Sequence, residues 1–176
     1  MAILRLSKAA LCAALLVAAP SGVWAKSIAF ILGNDSYQAL DPLQKARSDA
    51  SGYAALFAEQ GFEVMQHQDL SRSATSEALA LFYDRIAPGD TVALVYDGHG
   101  WSDGRENYLV PTDMRADGSQ TLIAQESFPL RNGANGILDE IQKRSPALTV
   151  AIIDACRNNP FQRPDGTRSF GVERGL

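Results

Sequence analysis

Two stretches of the sequence decide the fold: Val92-Ala93-Leu94-Val95-Tyr96-Asp97-Gly98-His99-Gly100 and Val150-Ala151-Ile152-Ile153-Asp154-Ala155-Cys156-Arg157-Asn158. Both open with a run of apolar, β-favouring residues without polar alternation, a pattern typical of a parallel strand buried on both faces. Each run is followed by a reactive side chain, His99 in the first stretch and Cys156 in the second. Functional residues of an open α/β sheet gather outside the carboxyl ends of its strands. If the two strands are neighbours, we therefore expect His99 and Cys156 to meet there, each in a turn after its strand.

The rest of the chain alternates strand-like with helix-like segments. Strands are predicted at 26–32, 62–66, 91–96, 107–110 and 148–153, and helices at 45–60, 71–86 and 136–144. Residues 112–133 show no clear periodicity and are predicted to form a loop with a short irregular element. Strands that alternate with amphipathic helices indicate βαβ units. We therefore expect an α/β fold with a mostly parallel sheet and helices on both faces.

Residues 1–25 have the features of a secretory signal peptide. Arg5 and Lys8 give a basic start, residues 4–19 are almost wholly apolar, and small residues precede Lys26 at the positions that a signal peptidase reads. The alternative, an uncleaved membrane anchor, is less favoured because the apolar run is shorter than the ~20 residues that a span needs. We therefore expect cleavage before Lys26, an exported protein that is periplasmic or secreted, and no membrane association after cleavage.

The expected mature chain is small and acidic. Without residues 1–25, 151 of the 176 residues remain, enough for one domain with a hydrophobic core. Loss of Arg5 and Lys8 leaves 14 basic residues against 20 acidic ones, a net charge of −6. An acidic chain without a basic run argues against nucleic acid as a partner. Cys156 is then the one remaining cysteine, which excludes an intrachain disulfide and flags a reactive thiol.

The combination of a cysteine with a histidine suggests nucleophilic catalysis. A cysteine attacks as its thiolate, and a neighbouring imidazole is the usual means of forming the thiolate at neutral pH. Gly98 and Gly100 flank His99 and allow the backbone to turn and approach a substrate closely. The amide N–H groups of Gly100 and Cys156 could then donate to a developing oxyanion. His99 and Cys156 are 57 residues apart (156 − 99), near the ~50 residues that separate the two catalytic residues of caspases.

Five motifs, in this order, carry a resemblance to a known family: Ala29-Phe30-Ile31-Leu32-Gly33-Asn34, Ala46-Arg47-Ser48-Asp49-Ala50, Tyr96-Asp97-Gly98-His99-Gly100, Asn107-Tyr108-Leu109-Val110-Pro111-Thr112-Asp113 and Asp154-Ala155-Cys156-Arg157-Asn158-Asn159-Pro160-Phe161. Over about residues 27–161, the sequence resembles the caspase-like cysteine peptidases, and within them the bacterial metacaspase and paracaspase-like branch. The resemblance implies a caspase-like three-layer sandwich, with residues 26–161 as its catalytic domain (the large-subunit-like part). It also implies Cys156 as the nucleophile, His99 as the general base and acid, and the amides of Gly100 and Cys156 as the oxyanion hole.

The resemblance further implies specificity for a basic residue before the cut. In metacaspases and paracaspases, an Asp two residues before the cysteine and another in the first-helix region form an acidic pocket for Arg or Lys. Asp154 and Asp49 match those positions. Carboxylates beside the nucleophile favour a cationic side chain and exclude the acidic one that caspases take. The expected partner is therefore a protein or peptide substrate with a basic residue before the cut.

Two acidic residues have a second interpretation. Asp49 could instead cap or decorate its helix. Asp97 stands where the family more often has a small residue, and this third carboxylate would either act on His99 or point into solvent.

Residues 162–176 differ from the rest of the chain. They contain few apolar residues and the arginines Arg163, Arg168 and Arg174, so they are predicted to form a polar loop or linker. The resemblance implies that the fold continues past the cysteine with further strands, so we expect a truncated chain end that lacks the C-terminal strands. The arginines are candidate self-processing sites for an Arg-specific peptidase, or else ordinary solvated loop charges.

The sequence gives no support for a cofactor or a metal site. The glycine pattern of a dinucleotide site is absent after the first strand. Asp113 and Asp117-Gly118 weakly resemble a calcium loop but lack its alternating ligand spacing. No cofactor and no metal are therefore expected, although activation by calcium stays open because some metacaspases need it.

Three functional hypotheses follow from these residues. The leading one is a cysteine endopeptidase that hydrolyses peptide bonds after Arg or Lys through an acyl-enzyme on Cys156. The alternative is a non-catalytic caspase-like module that binds a protein or peptide and has lost turnover. A redox-responsive thiol protein is less favoured, because the processed chain has no second cysteine to resolve an oxidised thiol.

Overall fold

The computed structural model describes residues 25–115 and 119–156. In chain order the elements are β1 (Ser27–Gly33), α1 (Ala46–Glu59), β2 (Glu63–Gln68), α2 (Arg72–Arg85), β3 (Thr91–Ser102), β4 (Asn107–Leu109), α3 (Gln120–Glu126), β5 (Phe128–Pro129), α4 (Ile137–Gln142) and β6 (Leu148–Cys156). Four strands pair in parallel in the order β2-β1-β3-β6, while β4 pairs antiparallel with the far end of β3 and β5 pairs antiparallel with β4. The predicted α/β fold with a mostly parallel sheet is confirmed.

Helices cover both faces of the parallel sheet. On one face the side chains of Ala29 and Ile31 in β1 pack with Val95 in β3 against α1. On the opposite face, α2 and α4 pack against the intervening residues of β1 and β3. Of these, Phe30 in β1 and Leu94 in β3 are almost fully buried. Each fully buried large apolar side chain contributes about 1.5–3 kcal/mol. The apolar runs of β1 and β3 are therefore buried on both faces, which gives three layers. The run in β6 differs from the prediction: among the described residues β6 pairs with β3 alone, and its Leu148 and Val150 are exposed.

The first turn of α1 lies directly against the carboxyl end of β1. A Cβ on Gly33 would stand 2.2 Å from the carbonyl oxygen of Ala46 and 2.7 Å from the Cβ of Ala50, so only glycine permits this contact. Asp35, in the loop after β1, accepts hydrogen bonds from the backbone N–H of Ala46 (2.9 Å) and Arg47 (3.2 Å) and so caps the helix. The start of α1 is thereby held at the carboxyl edge of the sheet.

The strands β3 and β6 are longer than predicted. β3 continues beyond Tyr96 to Ser102, because β4 pairs with its last residues in antiparallel fashion, and β6 continues to Cys156 alongside β3. His99 and Cys156 therefore lie within strands, and the prediction that each stands in a turn after its strand was wrong.

The segment without predicted periodicity also contains regular structure. It includes the seven-residue helix α3, which Ser119 caps by accepting from the backbone N–H of Leu122 at 3.3 Å, and the two-residue strand β5. Both elements are short, and α3 buries one residue, Ile123. So short an apolar face gives little periodic signal.

Several predictions fall on residues outside the described ranges. The signal peptide at 1–25 and the linker at 162–176, with Arg163, Arg168 and Arg174, belong to this group and stay predictions. In the described part of the chain, no helix has the length and apolar character needed to cross a membrane.

Candidate active site

The register of β3 against β6 brings the predicted catalytic positions together. His99 pairs with Cys156, and Asp97 pairs with Asp154, at the carboxyl ends of these parallel strands. Paired residues on neighbouring strands lie about 4.8 Å apart and share a face of the sheet. Because side chains alternate along a strand and Val95 packs on α1, the side chains of Asp97 and His99 belong to the α1 face.

The imidazole of His99 is oriented by a backbone carbonyl. Its Nε2 lies 2.8 Å from the carbonyl oxygen of Asp41, in the loop between β1 and α1. A carbonyl oxygen can only accept a hydrogen bond, so Nε2 carries the hydrogen in this contact. In the neutral ring, Nδ1 then has the free lone pair and is the nitrogen able to take a proton.

Two tyrosine hydroxyls surround the backbone of His99. The N–H of His99 donates to the Tyr37 hydroxyl at 2.7 Å, and the Tyr96 hydroxyl donates to the carbonyl of His99 at 2.7 Å. The rings of Tyr37 and His99 are also in contact, with centroids 4.5 Å apart. Burial raises the pKa of Tyr37 to about 12. This effect outweighs the hydrogen bonds with Tyr96, His99 and Asn34, which lower the pKa. The hydroxyl of Tyr37 therefore stays neutral at any physiological pH.

The backbone amide of Gly100 is directed towards β6. The carbonyl of Asp97 accepts from Asn34 N–H on the β1 side of β3, and the carbonyl of His99 accepts from Val110 N–H on the same side, where β4 lies. Backbone groups of successive strand residues point to alternate sides. The N–H of Gly100 therefore points to the opposite side, where β6 ends at Cys156.

Four carboxylates gather at this edge of the sheet. Burial, together with the negative charges of Asp154, Asp49 and Asp35, raises the pKa of Asp97 to about 6. Asp97 is half-buried, whereas Asp49 and Asp154 are exposed to solvent. The edge of the sheet next to His99 therefore has a concentrated negative potential.

One arginine neutralises part of this charge. Arg47 forms ion pairs with Asp35 at 3.2 Å and with Asp69 at 3.3 Å. Asp49, Asp97 and Asp154 form no ion pair with a lysine or arginine among the described residues. We call these three carboxylates the acidic cluster.

Sequence reasoning found some of these residues and missed others. It singled out His99, Cys156 and Asp154, and it assigned Asp49 either to a pocket or to a helix cap. The cap is formed by Asp35 instead, and the side chain of Asp49, in the first turn of α1, lies 3.4 Å from the Ser48 hydroxyl.

The supporting residues of the site were not anticipated. Asp41 acts through its backbone carbonyl, which no side-chain pattern can indicate. Tyr37 lies 62 residues from the histidine that it contacts, whereas Tyr96 precedes His99 by three residues in the same strand, and the one local signal for both hydroxyls is Gly98. A Cβ there would stand 2.6 Å from the Tyr96 hydroxyl and 2.7 Å from the Tyr37 hydroxyl.

The described residues contain no group of three or more His, Cys, Asp or Glu side chains that could hold a metal ion. Residues 116–118, which include most of the weak calcium-loop pattern, lie outside those residues.

Comparisons with known proteins agree with the fold. The family model described as the caspase domain matches residues 26–173. A solved structure of a Geobacter sulfurreducens protein, a structural genomics target, is similar with a TM-score of 0.53 and 20% sequence identity over 74% of this chain. The chain spans half the length of that protein, and at this identity the likeness concerns the fold alone. No curated protein matches the chain.

Proposed function

The chain belongs to the caspase domain family, whose members are cysteine peptidases, and on that premise we propose that it is an endopeptidase of the metacaspase and paracaspase-like branch that cleaves after Arg or Lys. One observation carries the proposal. The register that pairs His99 with Cys156 also pairs Asp97 with Asp154, two residues earlier in each strand. A candidate nucleophile and base thus lie next to a candidate pocket for a cation.

In the proposed reaction, Nδ1 of His99 takes the proton of the Cys156 thiol. The thiolate attacks the carbonyl carbon of the scissile peptide bond and forms a tetrahedral intermediate. The imidazolium then gives its proton to the leaving nitrogen as the C–N bond breaks, which leaves a thioester on Cys156. Water attacks the thioester while His99 takes a proton from it; the C–S bond then breaks, the acid product leaves, and the proton on His99 returns to the sulfur of Cys156. The hydrogen bond from Nε2 to the Asp41 carbonyl keeps Nδ1 free for these transfers and stabilises the imidazolium.

The amides of Gly100 and Cys156 are proposed to hold the oxyanion. The orientation of the Gly100 N–H, away from β4 and towards the end of β6, supports this role. One donor to an oxyanion contributes roughly 10²–10³-fold to kcat in other acyl-transfer enzymes. Because both donors are backbone groups of strands, their positions do not depend on side-chain rotamers.

The acidic cluster is proposed to select the residue before the cut. Asp49, Asp97 and Asp154 present negative charge without a cationic partner from the described chain, so a guanidinium or ammonium group gains charge-assisted hydrogen bonds there. A glutamate or aspartate in the same place is repelled. A protein or peptide with Arg or Lys before the cut is therefore the proposed substrate.

We also propose that the protein is exported after cleavage before Lys26, and that Arg163, Arg168 and Arg174 are self-processing sites. Mass spectrometry of the exported protein tests both. We expect a mature N-terminus at Lys26, and cuts after the arginines that disappear in a Cys156→Ala variant. An intact precursor would contradict export. Cuts that persist without the thiol would contradict self-processing.

The central experiment is labelling with an arginyl chloromethyl ketone. We expect the wild-type protein to be labelled at Cys156 much faster than a free thiol, and the rate to fall in His99→Ala and Asp154→Asn. Asp84→Asn is the matched control, because Asp84 is exposed on α2, away from the acidic cluster. Labelling no faster than a free thiol and independent of His99 and Asp154 would overturn the proposal and favour a non-catalytic binding module.

A further inference from the structure

We propose that Tyr37 and Tyr96 are positioning residues that fix the peptide unit of His99 and thereby hold its imidazole in the orientation needed for proton transfer. We call their two hydroxyls the phenol clamp. The inference deepens the proposed function and rests on it, since His99 must act as the base for its position to affect turnover.

The phenol clamp contacts both polar groups of the His99 backbone. The N–H donates to the Tyr37 hydroxyl and the carbonyl accepts from the Tyr96 hydroxyl, each at 2.7 Å. The two hydroxyls lie 3.3 Å apart, and both are within reach of the carbonyl of Val110. Tyr37 comes from the loop after β1 and Tyr96 from β3 itself, so the clamp joins two separate segments around one residue.

The hydrogen-bond directions in the clamp are determined by the groups at its ends. The N–H of His99 can only donate and its carbonyl can only accept. Tyr37 therefore accepts at one end and has its hydrogen available for the Tyr96 hydroxyl, while Tyr96 donates its own hydrogen to the carbonyl of His99. Burial raises the pKa of Tyr37 to about 12 and that of Tyr96 well above its ordinary value, so neither hydroxyl loses its hydrogen under physiological conditions.

The backbone is shaped to admit both hydroxyls. Gly98 precedes His99, and a Cβ at this position would stand 2.6 Å from the Tyr96 hydroxyl and 2.7 Å from that of Tyr37. Contacts that short do not occur between a carbon and a neutral oxygen. The absence of a side chain at position 98 is thus a requirement of the clamp, in addition to any freedom it gives the strand.

The clamp reaches the imidazole through the same loop that orients the ring. Tyr37 and Asp41 are four residues apart in the loop after β1. The ring of Tyr37 contacts the imidazole face, with centroids 4.5 Å apart, and the Asp41 carbonyl accepts from Nε2 at 2.8 Å. Loss of the Tyr37 hydroxyl leaves the partly buried N–H of His99 without this partner and removes one of the contacts that hold the loop on β3. We expect the Nε2–Asp41 contact to loosen as a result.

The test combines kinetics with spectroscopy of the imidazole. Tyr37→Phe and Tyr96→Phe each remove one hydroxyl, and Tyr83→Phe is the matched control, because Tyr83 lies on α2 against Arg144. With an Arg-containing peptide, we expect kcat to fall at least about tenfold in Tyr37→Phe while KM changes little, since the change affects proton transfer and not the acidic cluster. We expect no such separation of kcat from KM in Tyr83→Phe.

A second measurement is independent of turnover. The chain has two histidines, so ¹⁵N-histidine labelling gives two imidazoles, with His67 as an internal reference. At alkaline pH we expect His99 to be a single tautomer protonated at Nε2 in the wild type and a mixture of tautomers in Tyr37→Phe, with His67 unchanged. An unchanged His99 spectrum in a folded Tyr37→Phe protein would overturn the clamp. A wild-type protein without turnover but with the tautomer change would refute the proposed function and leave the clamp standing.

Discussion

The substitution Asp97→Asn should stabilise the protein in a pH-dependent way. The pKa of Asp97 is raised from 3.8 to about 6, so the folded protein holds this proton more tightly than the unfolded chain. The unfavourable contribution of Asp97 is therefore absent below its ordinary pKa, grows as the pH rises towards 6, and is constant above it. Asparagine has the same shape and no charge, so the variant escapes this loss at neutral and alkaline pH.

The magnitude follows from the shift and the exposure of the side chain. Raising the pKa of a fully buried carboxyl from 3.8 to about 6 corresponds to about 3 kcal/mol. Because Asp97 is only half-buried, solvent screens the repulsion from Asp154 and Asp49, and we expect on the order of 1 kcal/mol. For a chain of this size, that gain raises Tm by roughly 2–4 °C.

Urea denaturation at pH 4 and pH 8 measures the effect. We expect Asp97→Asn to unfold at a higher urea concentration than the wild type at pH 8 and at nearly the same concentration at pH 4. Asp84→Asn, an exposed residue on α2, should show no difference at either pH. The double variant Asp97→Asn/Asp154→Asn should gain less than the sum of the single variants, because the two carboxylates repel each other. An equal gain at both pH values, or a loss at pH 8, would refute the electrostatic reasoning.

Three further predictions concern the site and its support. The ratio of kcat/KM for an Arg peptide over a Gln peptide should rise between pH 5 and pH 7 as Asp97 ionises, and an equally steep rise in Asp97→Asn would assign the effect to another group. Gly98→Ala should lower the free energy of unfolding by about 1–3 kcal/mol in urea titrations, because its Cβ meets two tyrosine hydroxyls, and an unchanged midpoint would show that the strand can move aside. Asp90→Asn should lower the free energy of unfolding by about 1–3 kcal/mol, because the buried carboxylate accepts from the N–H of Lys26 at 2.9 Å and pairs with its ammonium at 2.5 Å. A variant that unfolds at the wild-type Tm would disprove this role of Asp90.

The sequence predicted the central geometry because two independent patterns agree. The apolar runs in β3 and β6 end at equivalent positions, so a parallel pairing in register also aligns His99 with Cys156 and Asp97 with Asp154. The first acidic residue after each run, Asp97 or Asp154, stands at the same position relative to the apolar residues in both strands, so one register aligns the apolar and the polar residues together. The pairing was therefore readable from the strands alone, before any knowledge of the loops.

The sequence did not predict where β3 ends, because the last residues of this strand do not favour an extended conformation by themselves. Residues 97–102 include two glycines, an aspartate and a serine, which have low intrinsic preference for a strand. They are extended because β4, which follows a short loop, pairs antiparallel with Gly100, Trp101 and Ser102. Trp101 is almost fully buried and stacks on Tyr108 across this pair, with ring centroids 4.5 Å apart. Tertiary pairing and packing thus override local preference here, at the place where the histidine must be held.

The raised pKa of Asp97 connects the stability of the fold to its proposed specificity. A half-buried carboxylate beside Asp154 and Asp49 is an unfavourable arrangement in the empty protein, and natural chains keep such arrangements mainly where a ligand relieves them. A guanidinium bound among the three carboxylates would stabilise their charged forms and draw the pKa of Asp97 back towards its ordinary value. Binding of an Arg side chain near pH 6 must then release a proton, so affinity has to rise with pH across the range in which the empty protein loses stability. As the pH rises, affinity for an Arg side chain increases and the stability of the unbound protein decreases, and both changes come from the ionisation of Asp97. This combination distinguishes a pocket for a cation from a carboxylate without a ligand.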